Sequence, residues 1–426
     1  MSLSQSLNNL NEDIREKIHD DLEIIIKPKF NFSRVKYMYP YHIDHNDQIF
    51  IPFNYAVTNM KIKRNKTDVF SKREIVFNTS LRDEQKVVRK EALNILSKNG
   101  GSVILSMYCG FGKSATSMNL ACKIGFKTLI IVNKIVLIKQ WEEGINKFID
   151  NAKIQKLTPK SKLQQDTDFY IMNAQNIEKL GHEFFSDIGT VIVDECHLIM
   201  AETLSRCLQY LCPRYLIGLS ATPYRPDGFD KLLDLYFGKE NKIVRKLHRK
   251  HTVYKLETGF IPTIEYSMNG KINWGKVLDS QANNSERNEL IVSLVKKHSD
   301  RNFLILVKRI AQGNHLYKRL LEEQENVTTL LGKKQDFDRE SRILIGTSSK
   351  VGVGFDHSKL DALLLATDLE EYFIQYLGRV FRRKDVEPII FDLVDDYTIL
   401  KKHFNTRKKI YKQHGGEITT IKLNTE

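Results

Sequence analysis

Residues 102–117 read SVILSMYCGFGKSATS, in which a mostly apolar run leads into a glycine-rich turn. The uninterrupted apolar run predicts a strand that is buried on both faces, and the residues after the turn suit a helix. The GFGKS of residues 110–114 matches the end of a P-loop, G-x-x-x-x-G-K-[ST], although Met107 stands where the first glycine would be. Glycines let backbone N–H groups approach phosphate oxygens, and the helix N-terminus adds positive potential. The stretch therefore predicts a nucleotide-phosphate site.

A second buried strand, TVIVDECHLI at residues 190–199, ends in four consecutive polar or reactive residues. They could form a metal site, a Cys/His nucleophile pair or the acidic half of a nucleotide site. The metal interpretation lacks further ligands at zinc-like spacing. The nucleophile interpretation fails because the neighbours of Cys196 leave the strand end in different directions. After a P-loop, Asp194 is expected to hold Mg²⁺, and Glu195 to orient and deprotonate the attacking water.

The same kind of apolar run recurs along the chain, separated by stretches long enough for helices, as in parallel α/β sheets. The runs are SVILSM (102–107), TLIIV (128–132), TVIVD (190–194), YLIGLS (215–220), FLILV (303–307), RILIG (342–346), DALLLA (361–366) and PIIFDL (388–393). A basic segment between residues 241 and 255, with six Lys or Arg, interrupts the series. The pattern predicts two α/β domains joined by a basic connector.

The region before residue 81 has a different character. Hydrophobic residues at helical spacing predict a first amphipathic helix, namely Leu7, Leu10, Ile14, Ile18, Leu22 and Ile25. Aromatic-rich stretches that suit strands or loops follow, and the basic run of residues 61–73 is interpreted as a solvated linker.

The composition favours an anionic partner. The 426-residue chain carries 66 Lys and Arg against 52 acids, a formal net charge of +14, with the hydrophobic content of an ordinary globular protein. Its five cysteines lack CxxC pairs, and neither a signal peptide nor a membrane-length apolar run is present. We therefore expect reduced thiols and an intracellular location, in the cytoplasm, the host nucleus, a virion or a virus factory.

Seven stretches, in this order, resemble the motifs of the superfamily 2 helicases and translocases of the DExH group. They are LRDEQ (81–85), the P-loop, VNKIVLIKQW (132–141), DECH (194–197), GLSATPYR (218–225), ILIGTSSKVGVGFD (343–356) and QYLGRVFRR (375–383). Asn133 departs from the proline that is frequent in this family. Within the superfamily, the chain is most similar to the XPB-like, phage-type and poxvirus transcript-release DNA helicases.

The resemblance implies a fold of two tandem RecA-like parallel-sheet domains with a small N-terminal accessory domain. The implied division is 1–80 accessory domain, 81–240 RecA-like domain 1, 241–412 RecA-like domain 2 and 413–426 C-terminal tail. It also implies an ATP-dependent, Mg²⁺-requiring DNA helicase or translocase. We expect a monomer that binds DNA in preference to RNA, does not bind a membrane, and recruits a transcription or repair protein through its N-terminal region if it recruits one.

The resemblance also assigns roles to individual residues. The residues implied in hydrolysis and in its communication between domains are Lys113, Asp194, Glu195, His197, Gln375, Arg379 and Arg382. Those implied in nucleotide binding are Arg82, Gln85, Cys109, Gly110, Phe111, Gly112, Lys113, Ser114, Ala115, Gly354 and Asp356, with Ser114 and Asp194 as Mg²⁺ ligands. Those implied in nucleic-acid contact are Gln140, Trp141, Asn173, Gln175, Thr347 and Ser348, and those implied in coupling are Ser220, Ala221 and Thr222.

Several alternatives stay open at the level of sequence. A P-loop kinase would not need QYLGRVFRR, and a non-catalytic scaffold would not need an intact acidic pair. An RNA helicase, or an ATPase that acts on RNA–DNA hybrids or releases transcripts, is the main competitor. Asn173 and Gln175 could cap a loop instead of contacting nucleic acid. The basic stretch of residues 401–414, with Phe404 and Tyr411 interleaved, suits either a nucleic-acid-facing helix or a solvated tail.

Overall fold

The computed structural model describes residues 2–26, 36–64, 66–98, 100–201, 204–221, 229–268, 270–334, 336–352, 355, 357–369 and 373–422. The chain divides into two compact units, Met1–Arg245 and Lys246–Glu426. Each unit contains a seven-stranded parallel sheet within its described residues. Two parallel α/β sheets confirm the predicted fold class.

The sheet of the first unit has the strand order β12-β6-β11-β10-β7-β9-β8. Its strands are β6 (Ser102–Met107), β7 (Thr128–Val132), β8 (Ile154–Leu157), β9 (Phe169–Asn173), β10 (Thr190–Val193), β11 (Tyr215–Ser220) and β12 (Lys242–Arg245). The main helices are α3 (Asp83–Lys98), α4 (Lys113–Ile124), α5 (Val136–Phe148), α6 (Cys196–Ile199) and α7 (Asp230–Phe237). Because β6, β7 and β10 are buried along their whole length, their apolar runs need no alternation, as the sequence indicates.

The parallel register brings the functional strand ends to one edge of the first sheet. Val193, the last residue of β10, pairs with Ile131 on one side and Gly218 on the other. On the far side of β11, Ser220 pairs with Ser106 of β6. The loops that follow β6, β10 and β11 therefore leave the sheet at the same carboxyl edge, where ligands bind in open α/β sheets.

The N-terminal residues fold against the first sheet in two small antiparallel sheets with orders β1-β5-β4 and β2-β3. The elements are β1 (Ser2–Ser6), α1 (Glu12–Leu22), β2 (Ile24–Ile26), β3 (Lys36–Met38), β4 (His42–Ile43), β5 (Gln48–Pro52) and α2 (Phe53–Thr58). Their apolar side chains share one core with the sheet, in which Leu3 and Phe53 join Tyr170 and Phe237.

The predicted first helix is longer than the observed one. Helix α1 starts at Glu12, where the side chain of Asn11 accepts a hydrogen bond from the Ile14 N–H at 2.9 Å. Leu7 and Leu10 lie before it, and Ile25 lies in β2 after it. The residues before the cap pair elsewhere: the Ser2 N–H donates to the Leu211 carbonyl at 2.7 Å. Long-range pairing thus overrides the local helical period.

The sheet of the second unit has the order β15-β16-β14-β17-β18-β13-β19. Its strands are β13 (His251–Glu257), β14 (Phe303–Val307), β15 (Val327–Leu330), β16 (Ile343–Thr347), β17 (Ala362–Leu365), β18 (Ile389–Val394) and β19 (Gly416–Lys422). Its helices are α8 (Trp274–Asn283), α9 (Ser285–Lys297), α10 (Ile310–Glu322), α11 (Ser348–Gly352), α12 (Phe373–Val380) and α13 (Thr398–Gln413).

The basic segment between the domains is shorter than the sequence suggests. Lys242–Arg245 forms β12, which pairs with β6 in the first sheet, and His251–Glu257 forms β13 in the second. The first unit therefore extends to Arg245 and not only to residue 240. Residues 416–422, which were expected in a tail, pair with β13 as β19. Within the described residues, no helix is both long and apolar enough to cross a membrane.

Candidate active site

The glycine-rich turn between β6 and α4 has the backbone geometry that its sequence requires. Gly110 and Gly112 have φ values of 88° and 93°, in the left-handed region that favours glycine. The turn ends at Lys113, the first residue of α4, so the helix N-terminus faces the turn. The Lys113 ammonium donates to the carbonyl of Met107 at 3.0 Å. The residue that replaces the first P-loop glycine thus holds the lysine through its backbone.

Two side chains from the start of α3 brace this turn. Gln85 Nε2 donates to the Phe111 carbonyl at 2.9 Å, and the Arg82 guanidinium donates to the same carbonyl. Gln85 Oε1 in turn accepts from the Arg82 N–H at 2.9 Å. A Cβ placed on Gly112 would meet Gln85 Nε2 at 2.3 Å. A larger residue there would strain φ and would also push the Gln85 amide away from the Phe111 carbonyl. Adenine contact by Arg82 and Gln85 stays a prediction.

Asp194 and Glu195 stand at the carboxyl end of β10. The Asp194 N–H donates to the Ile131 carbonyl of β7 at 2.9 Å, which fixes the backbone. Asp194 Oδ1 accepts from the Glu195 N–H at 3.0 Å, and Oδ2 accepts from the Trp141 indole N–H at 2.9 Å. Glu195 adopts a left-handed backbone with φ 45°, which is uncommon for a non-glycine residue and typical of functional turns. The backbone from Asp194 to Glu195 therefore forms a strained corner at the end of β10.

The electrostatics of the corner disfavour a second negative charge. Burial and then the charge of Glu195 raise the pKa of Asp194 to about 6, against the Trp141 hydrogen bond and the positive charge of Lys113. The effect of Lys113 agrees with the register of the sheet, which brings the turn after β6 and the end of β10 to the same carboxyl edge. Burial also raises the pKa of the Cys196 thiol, which is fully buried. A buried thiol with a raised pKa is a poor nucleophile.

A chain of polar contacts leads from Glu195 to β11. Glu195 Oε2 lies 3.4 Å from His197 Nδ1, and Ser220 Oγ lies 2.9 Å from the same nitrogen. His197 and Ser220 are fully buried, and the Glu195 oxygen accepts no hydrogen bond from the described residues. The structure therefore connects the predicted catalytic acid Glu195 to the coupling residue Ser220 through contacts with His197. Ala221 directly follows on the chain.

In the second unit, helix α12 carries Gln375 and Arg379, both of which are buried. The Arg379 guanidinium donates to the Phe355 carbonyl and lies over the Phe355 ring, 5.8 Å from its centroid. Arg382 follows the helix. These contacts show how this unit holds the arginine of α12, and its role at the γ-phosphate stays a prediction.

The segment before α12 is held by two buried arginines that sequence reasoning missed. Arg287 of α9 donates to the Ala366 carbonyl at 2.5 Å and to Asp395 at 3.0 Å. Arg407 of α13 donates to the Leu369 carbonyl at 2.7 Å. The basic stretch around Arg407 offered no signal that one of its cations points inward, except the aromatic residues at positions 404 and 411.

The residues implied in nucleic-acid contact belong to both units, and those of the first unit differ in their exposure. Asn173 is buried, and its Oδ1 accepts from the Gln175 N–H at 3.0 Å, so it forms the loop cap that was the alternative interpretation. Gln140 is exposed on α5, whereas Trp141 is buried beside Asp194. In the second unit, Thr347 ends β16, and the Ser348 carbonyl accepts from the Tyr376 hydroxyl at 3.0 Å.

Three implied residues, Thr222, Gly354 and Asp356, lie outside the described residues. The other members of the P-loop, Cys109 and Ala115, lie in the turn and in the first turn of α4. Ser114 is exposed at the start of that helix, where its hydroxyl is available to a ligand.

Comparison with known proteins gives a consistent result. Residues 78–225 match the family described as "Type III restriction enzyme, res subunit". The protein named "Putative helicase 161L" of Invertebrate iridescent virus 6 is 47% identical over 406 residues, which cover 89% of this chain and 91% of that protein. "Putative helicase 055L" of Frog virus 3 is 31% identical over 354 residues, covering 82% and 81%.

One solved structure, "S. cerevisiae Dbp5 bound to RNA and ADP BeF3", matches with a TM-score of 0.54. The match covers 79% of this chain and 89% of that chain at 16% sequence identity. A likeness at this level of identity concerns the fold, and it agrees with two tandem RecA-like domains.

Proposed function

Because the chain belongs to the superfamily 2 helicases related to those of large DNA viruses, we propose that it hydrolyses ATP to move along or remodel DNA. The observation that carries the proposal is the corner at Asp194. A carboxylate oriented by two hydrogen bonds stands in the same unit as a P-loop whose lysine acts on its charge. That combination serves phosphoryl transfer from a nucleoside triphosphate.

The residues of the first unit fit ATP with Mg²⁺. Mg²⁺ is usually held by one or two carboxylates, a hydroxyl and the substrate phosphates, with water completing the shell. Asp194 and Ser114 are the donors of this kind, and Gly110 and Gly112 carry no Cβ that would keep the backbone of the turn from phosphate oxygens. When bound, Mg²⁺ would neutralise charge on the phosphate oxygens.

The chain's own residues supply the remaining steps. Lys113 and the N–H groups at the start of α4 bind the phosphates. Glu195 takes one proton from the attacking water at its carboxylate, and His197 orients that carboxylate from 3.4 Å. In the proposal, Arg379 and Arg382 of the second unit stabilise charge on the γ-phosphate, and Gln375 works with His197, as the family resemblance implies.

The proposed partner is DNA, and helix α13 adds a basic face to the case for a polyanion. Its aromatic residues Phe404 and Tyr411 are buried, so they do not stack on bases as the interleaved pattern suggested. Four lysines on its outer face are exposed, and none forms an ion pair with a described residue: Lys402, Lys408, Lys409 and Lys412. The helix contains no acid, so its outer face suits a phosphate backbone.

Replacing those four lysines with glutamine is expected to weaken DNA binding and to flatten its salt dependence. Each lost phosphate contact should lower the slope of log K against log salt by about 0.9 for duplex DNA. The measurement is fluorescence anisotropy of a labelled duplex across a salt series. A control with the same charge change replaces Lys276, Lys296, Lys297 and Lys318, which are exposed on α8, α9 and α10. Lys276 and Lys296 pair with Glu265 and Glu323. Equal slopes in both variants would show that α13 is only a solvated face.

The test of the function is ATP hydrolysis by the purified protein with no polynucleotide, single-stranded DNA, duplex DNA and RNA. The Glu195→Gln variant serves as the inactive control. We expect strong stimulation by DNA that is absent from the variant. Stimulation by RNA alone would transfer the protein to the RNA helicases and leave the nucleotide site unchanged. Equal hydrolysis under all four conditions would contradict a translocase and leave an ATPase.

A further inference from the structure

Trp141 has a position that its sequence motif did not indicate. The resemblance implies that the segment around Gln140 and Trp141 contacts nucleic acid, yet the indole is 4% exposed. Its N–H donates to Asp194 Oδ2 at 2.9 Å. Among the described residues, it is the one side chain that donates to this carboxylate, since Oδ1 is taken by the Glu195 backbone. Trp141 and the Glu195 N–H therefore fix the direction of the carboxylate together, and Trp141 is the one of the two donors that a side-chain substitution can remove.

Helix α5 connects this buried contact to the surface. Its inward stripe consists of Leu137, Trp141 and Ile145, spaced four residues apart, and all three are buried. Its outward face carries exposed Gln140, and the residue before the helix, Ile135, is 76% exposed. One helical turn thus presents a surface residue and, one position later, the hydrogen-bond partner of Asp194. A shift of the helix cannot occur without moving that partner.

We propose that Trp141 is a positioning residue that sets the orientation of the Asp194 carboxylate for Mg²⁺ and links it to DNA bound at the outer face of α5. The inference rests on the proposed function for its second half, the link to DNA. The first half concerns only the carboxylate and its metal. Hydrogen-bond partners of metal ligands fix ligand orientation, and their loss typically costs about 10–100-fold in metal affinity or activity.

The chain contains two tryptophans, which allows a matched comparison. Trp141→Phe keeps an aromatic ring and removes the N–H donor. We expect the Mg²⁺ concentration for half-maximal ATP hydrolysis to rise about 10–100-fold and the stimulation by DNA to fall. Trp274→Phe is the control, because Trp274 lies in the second unit, where its ring stacks on His403 at 5.5 Å. It should match the wild type in both measurements.

Fluorescence provides a readout that does not depend on hydrolysis. In Trp274→Phe, Trp141 is the sole tryptophan, and its indole touches the proposed ligand. Mg²⁺ with ADP should change its emission, ADP with EDTA should not, and the additional variant Asp194→Asn should remove the Mg²⁺-dependent change. The fluorescence experiment still tests the proposal if Trp141→Phe fails to fold, because the Trp274→Phe variant keeps Trp141.

The proposal would be overturned if ATP hydrolysis by folded Trp141→Phe had the Mg²⁺ dependence of the wild type. It would also be overturned if Mg²⁺ with ADP did not change the emission of Trp141. Failure of the proposed function would give another result. ATP hydrolysis would then proceed at the same rate with and without polynucleotide, while the emission of Trp141 still changed with Mg²⁺ and ADP. A normal Mg²⁺ response combined with lost DNA stimulation would reject the positioning role.

Discussion

Replacing Glu195 with glutamine is expected to lower the rate of ATP hydrolysis by about 10²–10⁴-fold, the usual contribution of a general base. Glutamine has nearly the same shape but cannot accept the proton of the attacking water. The structure favours Glu195 for this step because its Oε2 is buried, accepts no hydrogen bond from a described residue and lies beside His197. The measurement is steady-state hydrolysis at saturating ATP and polynucleotide, together with binding of a fluorescent ATP analogue.

The same substitution has a second consequence, for stability. The pKa of Asp194 is raised to about 6 by burial and by the charge of Glu195, so the folded protein disfavours the ionised carboxylate. The folded protein therefore binds a proton at Asp194 more tightly than the unfolded chain does. The free energy of unfolding that this proton contributes is fully present below about pH 4 and is lost as pH rises through 6. Glutamine removes the neighbouring charge and should increase the free energy of unfolding on the order of 1 kcal/mol at pH 8. Near pH 4 the difference should close.

Glu143→Gln is the matched control, because Glu143 lies on α5 in an exposed ion pair with Lys139 at 3.8 Å. Exposed pairs of this kind contribute at most about 1 kcal/mol, and this one touches none of the active-site residues. Hydrolysis should therefore stay at the wild-type rate. If Glu195→Gln retained hydrolysis close to that of Glu143→Gln, another group would have to take the proton.

Much of this site could be predicted from the sequence, because its parts are local. The buried strands are continuous apolar runs, so β6, β7 and β11 match the predicted segments. The carboxyl edge of a parallel sheet then brings the P-loop and the acids together without further information.

The contacts that could not be predicted join residues far apart in sequence. Trp141 and Asp194 meet because α5 packs with its stripe inward, and a motif alone does not show which of two neighbouring residues faces the sheet. The N-terminal segment is a similar case, because β1 pairs with β5 across about 45 residues. Leu7 and Leu10, which follow β1, continue the hydrophobic spacing of the helix although they lie outside it. Local periodicity cannot decide between such partners.

Arg407 is the residue for which the sequence was most misleading and for which the largest stability effect is expected. It lies in a run of exposed lysines, yet it is 2% exposed. Its guanidinium donates two parallel hydrogen bonds to Asp392, at 2.9 and 2.8 Å, and a third to Asp368 at 2.8 Å. Burial works against the charged guanidinium, but the two aspartates outweigh it and raise the pKa of Arg407.

Arg407→Ala is expected to lower the free energy of unfolding of the second unit by about 3–5 kcal/mol. The loss exceeds the value of the ion pairs themselves, because both aspartates would lose the buried guanidinium. Asp392, which is fully buried, would keep the Tyr411 hydroxyl, and Asp368 would keep His403. Urea unfolding followed by fluorescence can isolate the second unit in a Trp141→Phe background. Trp274 is then the sole reporter, and its ring stacks on His403, which contacts Asp368 at 2.5 Å.

Arg319 provides the comparison that separates burial from the number of ionic partners. It contacts Glu289 at 2.7 Å, Glu322 at 2.7 Å and Glu323 at 3.5 Å, but Glu289 and Glu322 are exposed to solvent and Glu323 is partly exposed. Since exposed pairs are screened and hydrated in both states, Arg319→Ala should cost no more than about 1 kcal/mol. Similar losses from the two variants would mean that Asp368 and Asp392 regain water when Arg407 is removed. The interior around α13 would then be too open to hold the segment before α12 in one conformation.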